Sequence, residues 1–131
     1  MPEPGRSTGS GPGRVLVAVY ALFALAATAR AGVQIATKFT EAPAAYLLSA
    51  FAALVYVLAT VALARSWWAV ALVACGIEAA GVLAIGTASL LLPAAFPDQT
   101  VWSDYGIGYG FVPLVLPFVG LAWLYRTRPA R

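Results

Sequence analysis

The chain has 131 residues, 62% hydrophobic and only 10% charged, with a mean hydropathy of +0.86, whereas a soluble domain averages about 45–50% apolar and about 25% charged residues. A water-soluble monomer could not hide this much apolar surface, and the net charge of +3 rests on dispersed arginines and the single lysine Lys38, which gives no nucleic-acid-binding patch. With no His, one Cys (Cys75) and one Met (Met1), the chain lacks the residues for His- or Met-ligated haem, His-containing metal sites, His-based nucleophilic catalysis and an internal disulfide.

Residues 1–13 are rich in Pro, Gly and Ser and read as a disordered tail. Residues 15–36 are apolar apart from Thr28, Arg30 and Gln34, and about 20 such residues suffice to cross the hydrocarbon of a bilayer. This first segment also imitates a secretory signal peptide, with Arg6 and Arg14 before the apolar run and Ala29-Arg30-Ala31 as an A-x-A site. Val33, Ile35 and Ala36 carry the apolar run past that site, which favours a retained anchor.

A short polar turn from Lys38 leads to Pro43, whose missing N–H suits a first helical turn, and a second helix is expected over 44–64. Arg65 and Ser66 close it, and a third helix over 67–92 follows so directly that the two must form an antiparallel hairpin. The loop over 93–104 carries two prolines, Asp98, Trp102 and Asp104 but no Lys or Arg. Its carboxylates could attract cations; a solvated loop is the plainer reading. A fourth helix is expected over 105–125, followed by a basic tail at 126–131.

The fold class is therefore read as all-α, a polytopic membrane protein with a four-helix transmembrane domain over 14–125. Cytoplasmic flanks retain Lys and Arg during insertion. With the N-terminus inside, Arg6, Arg14, Arg65, Arg126, Arg128 and Arg131 all fall on the cytoplasmic side, so an N-in/C-in topology in the plasma membrane is expected. Trp67, Trp68, Trp123 and Tyr125 at one level, with Phe39, Tyr46, Trp102 and Tyr105 at the other, match interfacial aromatic belts. Residues 43–46 and 93–96 look alike, but the first group opens a helix and the second follows one, so they do not mark an inverted repeat.

Glu78 is the most informative residue. It lies 11 positions beyond Trp67, about 16 Å into a hydrocarbon layer of about 30 Å, which is the midplane. Ionisable groups there are expensive and mark function by default. The neighbours of Glu78 at helical spacing are mostly small, among them Ala71, Ala74, Cys75 and Gly81, so another helix can approach closely. Two outcomes follow, a neutral acid or an ion pair.

Arg30 is the candidate partner, in a stripe of Tyr20, Phe23, Ala27, Arg30, Gln34 and Thr37. It lies about 8 Å further out than Glu78, so its side chain can reach inward or snorkel outward. Tyr56 falls near the same depth as Glu78, and its hydroxyl needs a partner in lipid. Arg30, Gln34, Tyr56 and Glu78 thus form a candidate intramembrane polar network, serving either as glue between helices or as a proton or ion relay. In the fourth helix, Gly106, Gly110, Pro113, Pro117 and Gly120 share one face with Tyr109. They form a candidate helix-packing face, with kinks at the prolines. Cys75 has no activating neighbour and reads as a packing residue.

The segments Val19–Ala27, Val33–Thr37 and Tyr109–Val115 resemble the small four-helix integral membrane proteins common in high-GC Gram-positive bacteria. That resemblance covers about Arg14 to Tyr125 and implies no activity, cofactor or catalytic residue. The expected function is a non-enzymatic structural or accessory subunit in the lipid bilayer, forming a homo-oligomer or joining a larger membrane complex. The alternative is a small oligomeric proton-coupled transporter or channel using Glu78. Small multidrug exporters are similar in size and helix number, but their membrane carboxylate lies in the first helix. A lipid-modifying enzyme lacks any paired catalytic constellation.

Overall fold

The computed structural model describes residues 7–95 and 101–129. Arg6, Phe96, Asp98 and Arg131, which figure in the sequence reading, lie outside the described residues. Among the described residues, four α-helices carry the fold: α1 (Pro12–Lys38), α2 (Pro43–Ala64), α3 (Trp68–Leu91) and α4 (Val112–Arg126). Among the described residues the connections are turns and short 3-10 helices, and there is no strand.

Pro12 and Pro43 occupy the first turns of α1 and α2, where a proline removes a donor that would be unpaired in any case. At the other end of α2, Ser66 takes a left-handed φ of 56°. The amides of Ser66 and Trp67 then donate to the carbonyls of Leu63 and Ala62. This is a Schellman closure, and it reverses the chain within three residues to make the α2–α3 hairpin.

The first three helices are long and apolar enough to cross a membrane. Leu25, Leu54, Val73 and Leu91 point outward, while the buried positions are mostly alanines and a few aromatics. Burying small residues and exposing large apolar ones suits lipid as the outer solvent, with close helix packing inside. Helix α1 packs chiefly on α2, and α3 lies between α2 and α4.

The fourth helix departs from expectation. Residues 105–125 are not one helix: a 3-10 segment over Ser103–Tyr109 meets α4 at a bend of 99°. Pro113 has no N–H for the carbonyl of Tyr109, and its ring crowds a helical turn there, which weakens a helix at this point, although Pro117 is accommodated inside α4. Gly106 (φ 84°) and Gly110 (φ 63°) supply the left-handed backbone that lets the chain turn. Pro113 then sits in the first turn of α4 instead of kinking a longer helix. The 15 residues of α4 reach about 22 Å, too short for a full crossing. Among the described residues, three helices are thus long and apolar enough to cross a membrane, or up to four if the bent pair is counted as one.

The tail differs too. Thr8 is fully buried. Its amide donates to Ser66 Oγ at 3.1 Å, its hydroxyl to the carbonyl of Leu63, and its carbonyl accepts from Trp123 Nε1 at 3.0 Å. Residues 8–13, expected to be disordered, clasp one end of the bundle, and this clasp ties Thr8 to the α2–α3 turn and to Trp123 near the end of α4.

Candidate functional site

Glu78 projects from α3 into the centre of the bundle with 0% exposure. The surrounding surface is built by small side chains: Ala71, Ala74, Cys75 and Val82 on α3 are all fully buried, which lets α1, α2 and α4 close around it. On the side nearest the termini, Gly120 of α4 lets the helix come within contact of Cys75 and Tyr20. The Tyr20 hydroxyl lies 3.3 Å from Cys75 Sγ and 3.5 Å from the Leu116 carbonyl. Tyr20 and Tyr56 both stand within electrostatic reach of Glu78, and their rings are 6.0 Å apart.

Neither oxygen of the Glu78 carboxyl has a hydrogen-bond partner within 3.5 Å, although the Tyr20 hydroxyl stands close enough to act on it as a donor. The ion pair with Arg30 does not form: the Arg30 guanidinium instead lies over the Tyr109 ring, 5.7 Å from its centroid, a cation–π arrangement. The anticipated hydrogen bond from Tyr56 is also absent, although its hydroxyl is fully buried beside the Trp102 indole. Gln34 is buried on α1 one turn beyond Arg30. Of the four residues of the expected network, the structure brings Tyr56 to Glu78 and directs Arg30 to an aromatic face. Leaving a carboxyl in low dielectric without a partner costs several kcal/mol, roughly, if it is charged, and less if it is neutral.

Two residues matter more here than the sequence reading allowed. Tyr20 figured in that reading only as a member of the α1 stripe, yet its hydroxyl joins α1, α3 and α4 beside Glu78. Trp102, assigned to an interfacial belt, is 1% exposed. Its six-membered ring rests on Gly81, where a β-carbon would stand 2.7 Å from it. Tyr46, assigned to the same belt, is also buried, whereas Trp67 and Tyr125 remain exposed as expected. Bare glycines at 81 and 86, just beyond Glu78 on α3, were the available signal for incoming aromatic rings.

The segment that carries Trp102 folds back along α3. Tyr105 covers Gly86 as Trp102 covers Gly81. The amide of Asp104 donates to Ser89 Oγ at 2.8 Å, and the hydroxyls of Thr87 and Tyr105 are 2.7 Å apart. Asp104 is thus tied to the end of α3, and the cation-attracting role considered for it has no metal-type cluster behind it among the described residues. Asp104 (φ 50°), Tyr105 (φ 60°) and Phe111 (φ 62°) hold left-handed backbone without being glycine, at a cost of about 1–3 kcal/mol each.

The anticipated packing face of the fourth helix is divided. Pro113, Pro117 and Gly120 are buried inside the bundle. Gly106 abuts Pro113 across the bend, and Gly110 forms the left-handed turn itself. These residues pack the chain against itself. No family model, curated protein or solved structure matches this chain.

Proposed function

We propose that this chain is a multi-pass protein of the plasma membrane, with both termini cytoplasmic, that carries protons through the bilayer by way of Glu78, without enzymatic chemistry or a cofactor. One observation carries the reading: a carboxyl group near the middle of a helix long and apolar enough to cross a membrane is fully enclosed, with no hydrogen-bond partner within 3.5 Å and only tyrosine hydroxyls close by. A carboxyl retained as glue should be matched by donors, because unmatched burial destabilises the fold. A group that exchanges protons cannot be fully matched in both of its states. The hydroxyls of Tyr20 and Tyr56 suit this, since a phenol can donate to a carboxylate or accept from an acid.

The test is proton movement in liposomes containing the purified protein. Wild type should dissipate an imposed pH gradient and Glu78→Gln should lose at least tenfold in rate; equal rates would end the proposal. The cytoplasmic placement of the termini rests on the arginine distribution. A reporter fused after Arg131 that is active outside the cell would reverse it.

A second reading is a non-enzymatic accessory subunit or homo-oligomer, and one observation favours it. Gly32 and Gly76 face open space, with nothing within 4 Å of a β-carbon built on them, so another helix could approach closely there. Under this reading Gly32→Leu with Gly76→Leu lowers the native mass in mild detergent. An unchanged mass counts against it.

A further inference from the structure

The bundle encloses Glu78 differently on its two sides. Toward the termini it is closed by continuous helix packing: Cys75 against Gly120, the Trp68 indole donating to the Leu124 carbonyl at 2.7 Å, and the Thr8 clasp. On the opposite side no complete helix closes it, because α4 begins only at Val112. Tyr109, just before that start, already packs on Phe23 with ring centroids 5.4 Å apart. The remaining depth is filled by side chains from residues 101–109. Trp102 sits one helical turn beyond Glu78 on Gly81, and Tyr105 sits further out on Gly86.

We infer that residues 101–109 form a lid that closes the Glu78 site from the membrane face opposite the termini, with Trp102 as its plug and the bend at Gly110 as its hinge. The inference rests on the proton-exchange reading for its purpose, though not for its geometry. The lid has the three parts that such a device needs. Its plug, the Trp102 ring, fills a recess left by Gly81 of α3 and packs beside Phe51 and Tyr56. Its fastening is polar and peripheral, through Asp104 to Ser89 and Tyr105 to Thr87. Its backbone is held in left-handed conformations at Asp104 and Tyr105, which the closed contacts must sustain and which opening relieves. At Gly110 the φ of 63° falls where glycine moves freely between conformations.

Cys75 provides a native reporter. It is the single thiol of the chain, fully buried, and touches Tyr20 one turn from Glu78 on the terminal side, so reagent entering past the lid reaches it only through the Glu78 site. The experiment measures the rate at which a membrane-impermeant, positively charged methanethiosulfonate modifies Cys75 in oriented proteoliposomes, with reagent applied to either face. Wild type should react slowly from the face opposite the termini. Ser89→Ala and Thr87→Val, which keep the packing and remove the fastenings, should each accelerate that reaction roughly tenfold, the factor expected when one or two hydrogen bonds of the closed state are lost. Trp102→Ala should accelerate it further, and none should change the rate from the other face. Equal rates in wild type and all three variants, or acceleration that is the same from both faces, would overturn the lid. Labelling reads opening and not proton movement. A flux indifferent to Glu78→Gln would therefore remove the proton reading and leave the lid standing, and unchanged labelling beside Glu78-dependent flux would do the reverse.

Discussion

Gly120 of α4 lies directly against Cys75 of α3: a β-carbon at position 120 would stand 2.9 Å from the sulfur and 3.1 Å from the Tyr20 hydroxyl. Three helices therefore meet at a point where one of them has no side chain. Real β-carbons almost never approach that closely, so even alanine at 120 must push α4 outward or displace the sulfur. Gly120→Ala should cost about 1–3 kcal/mol, the usual penalty for overpacking. Cys75→Ala in the same chain should recover a good part of it, since neighbours that share one space couple in a double-mutant cycle. Unfolding midpoints of the four proteins in one detergent check this, and strictly additive losses would refute the contact.

The stability of Glu78→Leu separates a structural carboxyl from a functional one. A carboxyl that binds helices together is missed when it is removed. One that is enclosed with no hydrogen-bond partner within 3.5 Å burdens the fold, and replacing it with an apolar side chain of similar length should stabilise the protein by about 1–3 kcal/mol while removing the proposed proton movement. A lowered unfolding midpoint in Glu78→Leu would restore the glue reading.

The clasp predicts an effect at the chain's beginning. The Thr8 side chain donates to the carbonyl of Leu63, close to the end of α2, inside a fully buried contact. Thr8→Val keeps the shape and loses the donor. It should cost about 1 kcal/mol or slightly more, because the carbonyl is left without this donor. Deleting residues 1–10 should cost more and also expose the Trp123 indole to soluble quenchers. A truncated protein with an unchanged midpoint would show that the clasp adds nothing.

Much of the fold could be read from residue order. The limits of the first three helices depart from expectation by three residues or fewer, since long apolar runs and prolines at helix starts act locally. The fourth helix was misjudged for a specific reason. Gly106, Gly110, Pro113 and Pro117 do recur at helical spacing, and periodicity alone cannot tell a packing face from a break. What decides is whether neighbours hold the backbone in the left-handed region, and here Pro113, Gly86 and Ser89 do so. The tail shows the same limit from the other side. Its composition promised disorder, yet Thr8 finds partners from residues 55, 58 and 115 positions away.

The sequence by itself determined that three helices are long and apolar enough to cross a membrane and that Glu78 stands near the middle of the third, because hydropathy and the fixed rise of a helix need no partner to take effect. It could not determine what Glu78 meets. Arg30 and Tyr56 were within reach by depth, and only the rotation of each helix and the fold-back of residues 101–109 turned Arg30 away and brought Tyr20 and Trp102 near. Depth is additive along a helix, whereas contact depends on the azimuth of every helix at once, and that is settled by where the glycines and alanines let the backbones close.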